Sequence, residues 1–168
     1  MDFMVCSAEK FPYHGATLHT VFSLMEKTLI LLKPDAVTKQ VCGKVIARFE
    51  GAGFTIRGCK MIQLTPELLR EHYAHIAAFP FYPEVEEFMK ETPVLAMVLE
   101  GEGIIEKMRE MLGVTDCRAA AEGSIRAELG SKEEGKSKMC NIAHASDSPE
   151  AAEAEIARFF KADEVFSY

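Results

Sequence analysis

His144 sits among small residues in Asn141-Ile142-Ala143-His144-Ala145-Ser146-Asp147-Ser148, just ahead of a helix-opening Ser148-Pro149-Glu150. An imidazole so placed is open to an incoming group and can act as a nucleophile, provided a carboxylate fixes its tautomer. Glu155 lies about two turns into the expected helix and is placed to fold back as that carboxylate. The same position also suits a histidine that only caps or packs at a helix start. Lys33 ends an apolar run and precedes Pro34-Asp35; a lysine there either reaches solvent or presents its charge to phosphates gathered at a sheet edge. Neither a Gly-x-x-x-x-Gly-Lys-Ser/Thr loop nor a Gly-x-Gly-x-x-Gly fingerprint occurs, so any nucleotide would be gripped by side chains. His72 and His75 stand at i, i+3, a spacing compatible with metal, but no cysteine or third histidine joins them in sequence. Packing or solvent-facing histidines are the reading this favours, and a histidine-based metal protein would need ligands the pattern does not supply.

The elements that must position these groups are visible as periodicity. Residues 28–32 are nearly all apolar and read as a buried strand ending at the Lys33-Pro34-Asp35 turn. Val41, Val45, Ile46 and Phe49 mark a helical face, stopped by Gly51 and Gly53. A second strand is expected over 54–64, with a bulge at Gly58. Pro66 and Pro83 each open a helix, the first carrying Leu69, Tyr73 and Ile76. A third strand covers 94–99, and Ile104, Ile105, Met108, Met111 and Leu112 form a helical stripe ending at Gly113. A brief fourth strand is expected over 141–143, before a last helix with Ala152, Ile156, Phe159 and Phe160 inward. Few strands among helices, without internal repeats, argue for one sheet covered by helices. Helices between the second and third strands exclude a hairpin meander.

Between 115 and 139 large apolar side chains are scarce, and a loop that long in a compact domain is either functional or disordered. Its bases (Arg118, Arg126, Lys132, Lys136, Lys138) are balanced by Asp116, Glu122, Glu128, Glu133 and Glu134, which reads on charge alone as a solvated mixed loop.

The 168 residues suit a single domain, and a composition 48% hydrophobic and 27% charged is that of a globular protein with a real core. A net charge of −7 argues against nucleic acid or an anionic membrane as partner, and an anionic ligand would need a locally basic pocket. No apolar run approaches the length of a membrane span. Five scattered cysteines without Cys-x-x-Cys suggest reduced thiols in a cytoplasm, with no disulfide framework and no zinc site. Residues 1–24 hold few charges and no period, and His14, Gly15 and His19 interrupt any secretory core. A loosely ordered N-terminal extension followed by one domain over 25–168 is expected.

Taken in order, Lys33-Pro34-Asp35-Ala36-Val37, Glu71-His72-Tyr73, Pro80-Phe81, Pro93-Val94-Leu95-Ala96-Met97-Val98, Gly101, Arg109-Glu110-Met111-Leu112-Gly113, Ser124-Ile125-Arg126 and the segment from Asn141 to Ser148 resemble the nucleoside diphosphate kinase family. The likeness runs from Glu26 to Tyr168, and Asn-Ile-x-His-x-Ser-Asp with the upstream Lys-Pro-Asp is far more specific than a lone glycine motif. It implies an α+β fold, a ferredoxin-like βαββαβ sandwich with an antiparallel sheet covered by helices. It implies ping-pong transfer of a γ-phosphoryl group, mainly from ATP, to a nucleoside diphosphate, with His144 carrying the phosphate. By the same matching, Glu155 and Ser146 support the imidazole and Tyr73 lies near it. Arg109 and Thr115 hold the β-phosphate, and Arg126 the γ-phosphate. Lys33 and Asn141 contact the ribose hydroxyls, Lys33 reaching the γ-phosphate as well, and Phe81 stacks on the base. Mg2+ arrives on the nucleotide phosphates, with no metal ligand in the protein, and the family resemblance implies a homo-oligomer, hexamer or tetramer.

The physical logic is compatible with these roles, since phosphoryl transfer asks for positioned cations around the migrating group and a stacked base is not read by its edges. Ala145 departs from the family's usual glycine, Cys117 and Glu122 replace common prolines, and the stretch 127–139 is longer than usual. A binding or regulatory protein on the same fold is the alternative. A regulator freed from catalysis has no need of the full set Lys33, Tyr73, Arg109, Thr115, Arg126, Asn141 and His144.

Overall fold

The computed structural model describes residues 25–132 and 139–168. The expected loose extension over 1–24, and 133–138 within the long loop, lie outside the described residues. Four strands form the main sheet: β1 (Met25–Leu32), β2 (Thr55–Ile62), β3 (Val94–Glu102) and a short C-terminal strand at Ala143–Ala145, in the spatial order β2-β3-β1 and then the short strand. Every pairing is antiparallel. Between β1 and β2 lie α1 (Pro34–Thr38) and α2 (Cys42–Gly51), and between β2 and β3 lie α3 (Pro66–His72) and α4 (Tyr82–Lys90). After β3 come α5 (Ile104–Leu112), α6 (Ile125–Leu129) and a small ribbon of β4 (Ser131–Lys132) with β5 (Met139–Cys140). The short strand is therefore β6, and α7 (Pro149–Phe159) closes the order. With α2 and α5 as the crossover helices this is the ferredoxin-like α+β sandwich, and α3, α4 and α7 are additions to it. No described helix is long and apolar enough to cross a membrane.

Period-two alternation explains the two layers of core. Ile30, Leu32, Met97 and Leu99 point to one face, against Val45 and Phe49 of α2 and Ile104 and Met108 of α5. Leu29, Leu31, Ala96 and Val98 point to the other, against Leu69 of α3, Phe88 and Met89 of α4 and Phe159 of α7. Because both faces are covered, Leu29 to Leu32 are all fully buried, which is why β1 reads as an unbroken apolar run. Each such side chain stabilises the fold by about 1.5–3 kcal/mol relative to exposure.

Several boundaries differ from those expected. The bulge falls where foreseen, the register of β2 on β3 slipping between Ile56 and Gly58. The fourth strand begins two residues late, at Ala143, because Ile142 takes a left-handed φ of 72° and cannot enter a ladder. The stretch 115–139 is not one structureless loop: it holds α6, capped by Ser124 and anchored by buried Ile125, together with the β4–β5 ribbon.

Candidate active site

β6 sets His144 opposite Leu31 on the central strand. Two residues on, Ser146 locks to β1 twice: its N–H donates to the Leu29 carbonyl at 3.2 Å, and its Oγ accepts from the Leu29 N–H at 3.1 Å. The chain then turns into α7, where the Ser148 hydroxyl accepts from the Ala151 N–H and Pro149 supplies the first helical residue. That start aims Glu155 back at the sheet. Its carboxylate oxygens lie 3.1 and 3.0 Å from His144 Nε2, and Ser146 Oγ donates to Oε2 at 2.6 Å. Burial works to raise the Glu155 pKa, but the hydrogen bonds from His144 and Ser146 and the neighbouring imidazoles outweigh it and hold the group below the usual carboxylate range. An ionised Glu155 only accepts, so the proton of neutral His144 sits on Nε2 and the lone pair on Nδ1.

Lys33 emerges from the end of β1, and its Nζ donates to Asn141 Oδ1 at 2.8 Å. Burial, then the charge of Arg126, push its pKa down to about 8, partly opposed by Asp35 and Cys140. Asn141 is held in turn by its Nδ2 donating to the Thr115 carbonyl at 3.1 Å. Arg126 on α6 reaches three carbonyls, Nη1 to Gly113 at 2.8 Å, Nη2 to Ala143 at 2.8 Å and Nε to Asn141 at 3.3 Å. Gly113 is needed there, because it ends α5 at φ 80° with the Ser124 side chain where a Cβ would go.

These groups line two adjoining hollows that share Thr115. One, of about 320 Å³, is bordered by Lys33, Tyr73, Phe81 and Asn141. The other, of about 260 Å³, is bordered by Arg109, Arg126 and Asp147. Tyr73 is buried with its pKa raised, first by burial and then by Glu155 and Tyr82, so its hydroxyl stays protonated. Phe81 is 44% exposed and lies parallel to Phe79 at 5.5 Å. A larger groove of about 1110 Å³ runs beside β1 and α7, but its lining carries no histidine, cysteine or arginine. Chemistry rather than size marks the cleft.

Hollows lined by Lys33, Arg109 and Arg126 thus accompany a carboxylate-held histidine, in a chain that is similar to known proteins. The nucleoside diphosphate kinase family model matches residues 26–165. A nucleoside diphosphate kinase of Rhodopirellula baltica is 44% identical over 144 residues, 86% of this chain and 91% of that protein. The chain belongs to the nucleoside diphosphate kinase family. Among solved structures, the kinase from Aquifex aeolicus aligns with a TM-score of 0.78 at 44% identity, over 85% of this chain and all of that one. The kinase from Borrelia burgdorferi, a transition-state mimic with bound vanadate and ADP, aligns with a TM-score of 0.81 at 30% identity, over 86% of this chain and 92% of that one. As a nucleoside diphosphate kinase the chain is an enzyme of phosphoryl transfer between nucleotides, using a divalent cation.

The fold thus brings Lys33, Tyr73, Phe81, Arg109, Thr115, Arg126 and Asn141 to the two hollows and joins His144, Ser146 and Glu155 to one another. Two contributors were not assigned a role by sequence. Asp35 is buried and accepts the Ile142 N–H through Oδ2 at 2.9 Å, which fixes the kink ahead of β6; its place in Lys-Pro-Asp was the only signal. His72 packs, as expected, while His75 is exposed. The packing of His72 is on the site itself: its ring meets His144 edge-on at 4.6 Å, and its Nδ1 lies 3.8 Å from Glu155 Oε1. Burial, then the charge of His144, lower the His72 pKa to about 3, so it is neutral.

Proposed function

We propose that the enzyme moves the γ-phosphoryl group of a nucleoside triphosphate, mainly ATP, onto His144 and from there onto a nucleoside diphosphate. The Nδ1 lone pair forms the bond to phosphorus as the bond to the bridging oxygen breaks, and that electron pair leaves with the first diphosphate. The Nε2 proton stays on the ring, where Glu155 stabilises the positive charge developing on the imidazole. Lys33, Arg109 and Arg126 neutralise the oxygens of the migrating group. The second half runs the same path in reverse onto the acceptor. The observation that carries this reading is the Ser146–Glu155–His144 chain, in which Glu155 takes the Nε2 proton and leaves the lone pair on Nδ1.

Thr115 and Arg109 take the β-phosphate, Asn141 and Lys33 the ribose hydroxyls, Tyr73 supports the histidine's surroundings, and Phe81 stacks on the base without reading its edges. Broad base use follows. Mg2+ travels on the phosphates: among the described residues the cluster close enough to share an ion, His72, His144 and Glu155, is rich in imidazole, whereas Mg2+ takes oxygen ligands. Magnesium supplies charge neutralisation between the phosphates when bound. A homo-oligomer, hexamer or tetramer, is part of the reading, supported by β2 standing at a sheet edge and by the groove beside β1 and α7. So is a cytoplasmic setting, supported by Cys42, Cys59 and Cys117, which stand as free thiols. The domain is read as 25–168, with 1–24 an extension.

The test is to incubate the protein with ATP labelled in the γ-phosphate and Mg2+, beside His144→Ala. The expected result is an acid-labile, base-stable phosphoprotein, absent in the variant, that GDP or CDP discharges as the triphosphate. Wild-type protein that binds nucleotide but stays unlabelled overturns the reading in favour of a binding protein.

A further inference from the structure

His72 is the group the reaction leaves unused. It is buried, and neither ring nitrogen has a hydrogen-bond partner among the described residues. A buried polar atom without a partner calls for an explanation, and this one lies beside two groups that ligate metals. His72, His144 and Glu155 each offer one donor atom, and these atoms all lie within 4.8 Å of one another. Two ligands on a tetrahedral zinc ion, each at its usual bond length of about 2.0–2.1 Å, stand roughly 3.3 Å apart. His144 Nε2 is 3.1 Å from Glu155 Oε1, and His72 Nδ1 is 3.8 Å from the same oxygen, so those pairs already bracket that spacing. Ser146 bonds the other oxygen, leaving Oε1 to turn to an ion. Of the nearby cations, Arg158 is already paired with Glu71 at 2.7 Å. The His144 side chain keeps 19% of its surface exposed, which leaves the fourth position to water from the cleft.

We propose that His72, His144 and Glu155 form an inhibitory site for a transition-metal ion of zinc's preferences, distinct from the magnesium carried by the nucleotide. The inference rests on His144 being the phosphate carrier. Neutral imidazole has one proton and one lone pair, so an ion on Nε2 displaces the proton that Glu155 holds there, and the ring's proton then sits on Nδ1. The atom that must attack phosphorus has lost its lone pair. Zinc therefore blocks labelling of the protein by competing with a proton rather than with nucleotide, and removing the ion restores it. Magnesium, which takes oxygen ligands and gives up its waters reluctantly, does not compete for the site.

Zinc binding is measured without nucleotide, by competition with a chromogenic chelator, for wild type, His72→Phe and His144→Ala. Phenylalanine keeps a ring for the contacts with His144 and Phe159 and removes both nitrogens. One ion per chain is expected for wild type, with affinity lower by about tenfold or more in either variant. Labelling by ATP should fall on prior zinc loading and recover with chelator, and His72→Phe should resist the same zinc concentration. Equal binding and equal inhibition of wild type and His72→Phe overturn the proposal. Cobalt-loaded wild type gives a reading free of any folding defect in the variants, with two hyperfine-shifted imidazole N–H resonances expected and one or none overturning the site. Labelling in chelator buffer without histidine-dependent metal binding sinks this inference and leaves the kinase reading standing. Metal binding that depends on His72 in a protein never labelled by ATP sinks the kinase reading and the inhibition with it.

Discussion

Ser146 and Glu155 are joined by a 2.6 Å hydrogen bond in which Oγ donates to Oε2, and the same hydroxyl accepts from the Leu29 N–H of the central strand. The imidazole of His144 is therefore oriented by a carboxylate that is itself tied to β1, in the middle of the sheet. Glu155→Gln keeps the shape but puts an amide where the acceptor oxygens stand, and it no longer opposes the charge that forms on the ring. We expect its phosphorylation rate to fall roughly 10²-fold, with nucleotide affinity little changed. Ser146→Ala removes one hydrogen bond to a charged group, worth about 1.5–3 kcal/mol, and should slow the reaction about tenfold. Single-turnover labelling separates the two effects from binding, and a variant that loses affinity while keeping its rate would contradict this assignment.

Lys33 gives a pH dependence whose sign follows from its surroundings. With its pKa lowered to about 8 by burial and Arg126, it is charged below that pH and neutral above it in the free protein. An arriving phosphate favours the charged form. Nucleotide binding near pH 8 should therefore take up a proton, and affinity should weaken as pH rises through that region. Calorimetry in buffers of different ionisation enthalpy measures the proton directly. Lys33→Gln should bind more weakly at neutral pH and show no uptake; uptake that persists in this variant would move the assignment to another group.

Arg126 and Arg109 border the same hollow but differ in what the protein asks of them. Arg126 donates to the carbonyls of Gly113, Asn141 and Ala143, joining the end of α5, the kink and β6. Among the described residues the Arg109 guanidinium has no such carbonyl partners; only its backbone carbonyl is engaged, accepting from the Gly113 N–H at 3.0 Å. Arg126→Ala should cost about 2–4 kcal/mol of stability as well as activity, since it removes three part-buried hydrogen bonds from a charged group, each worth about 1.5–3 kcal/mol, and water replaces part of them. Arg109→Ala should stay within about 0.5 kcal/mol of wild type and lose nucleotide affinity. Denaturant melts beside binding isotherms check the pair, and equal destabilisation of both variants would refute the distinction.

What the sequence made legible follows a physical line. Long periodic segments such as β1 and α5, and groups carried by local motifs such as Lys33 and His144, can be read because neighbours along the chain determine them. α6 could not be, since five residues give too little period. The start of β6 depends on a hydrogen bond from Ile142 to Asp35 across 107 positions, which no local pattern shows. His72 lies next to Tyr73 on the expected helix, yet its meaning comes from Glu155 on α7, brought to it by the fold. The direction of Glu155 was readable from Ser148-Pro149, because a helix start fixes which face comes two turns later.

Phe81 supplies the last test, because the role proposed for it predicts a uniform effect. It stands just before α4, its ring at the rim of the larger hollow and the residue 44% exposed, with Phe79 parallel at 5.5 Å rather than a core around it. Stacking on an aromatic face is worth about 1–3 kcal/mol per base by alanine substitution and does not depend on base identity. Phe81→Ala should therefore weaken adenine, guanine and cytosine nucleotides together, by roughly 10- to 100-fold, while the fold keeps its stability. Phe81→Trp should retain binding, and its indole fluorescence, in a chain that otherwise lacks tryptophan, should be quenched by each nucleotide. Titrating that signal with the three diphosphates compares them on one scale. A Phe81→Ala variant that loses one base class and keeps the others would mean that the base is read by its edges, and broad specificity would have to be abandoned.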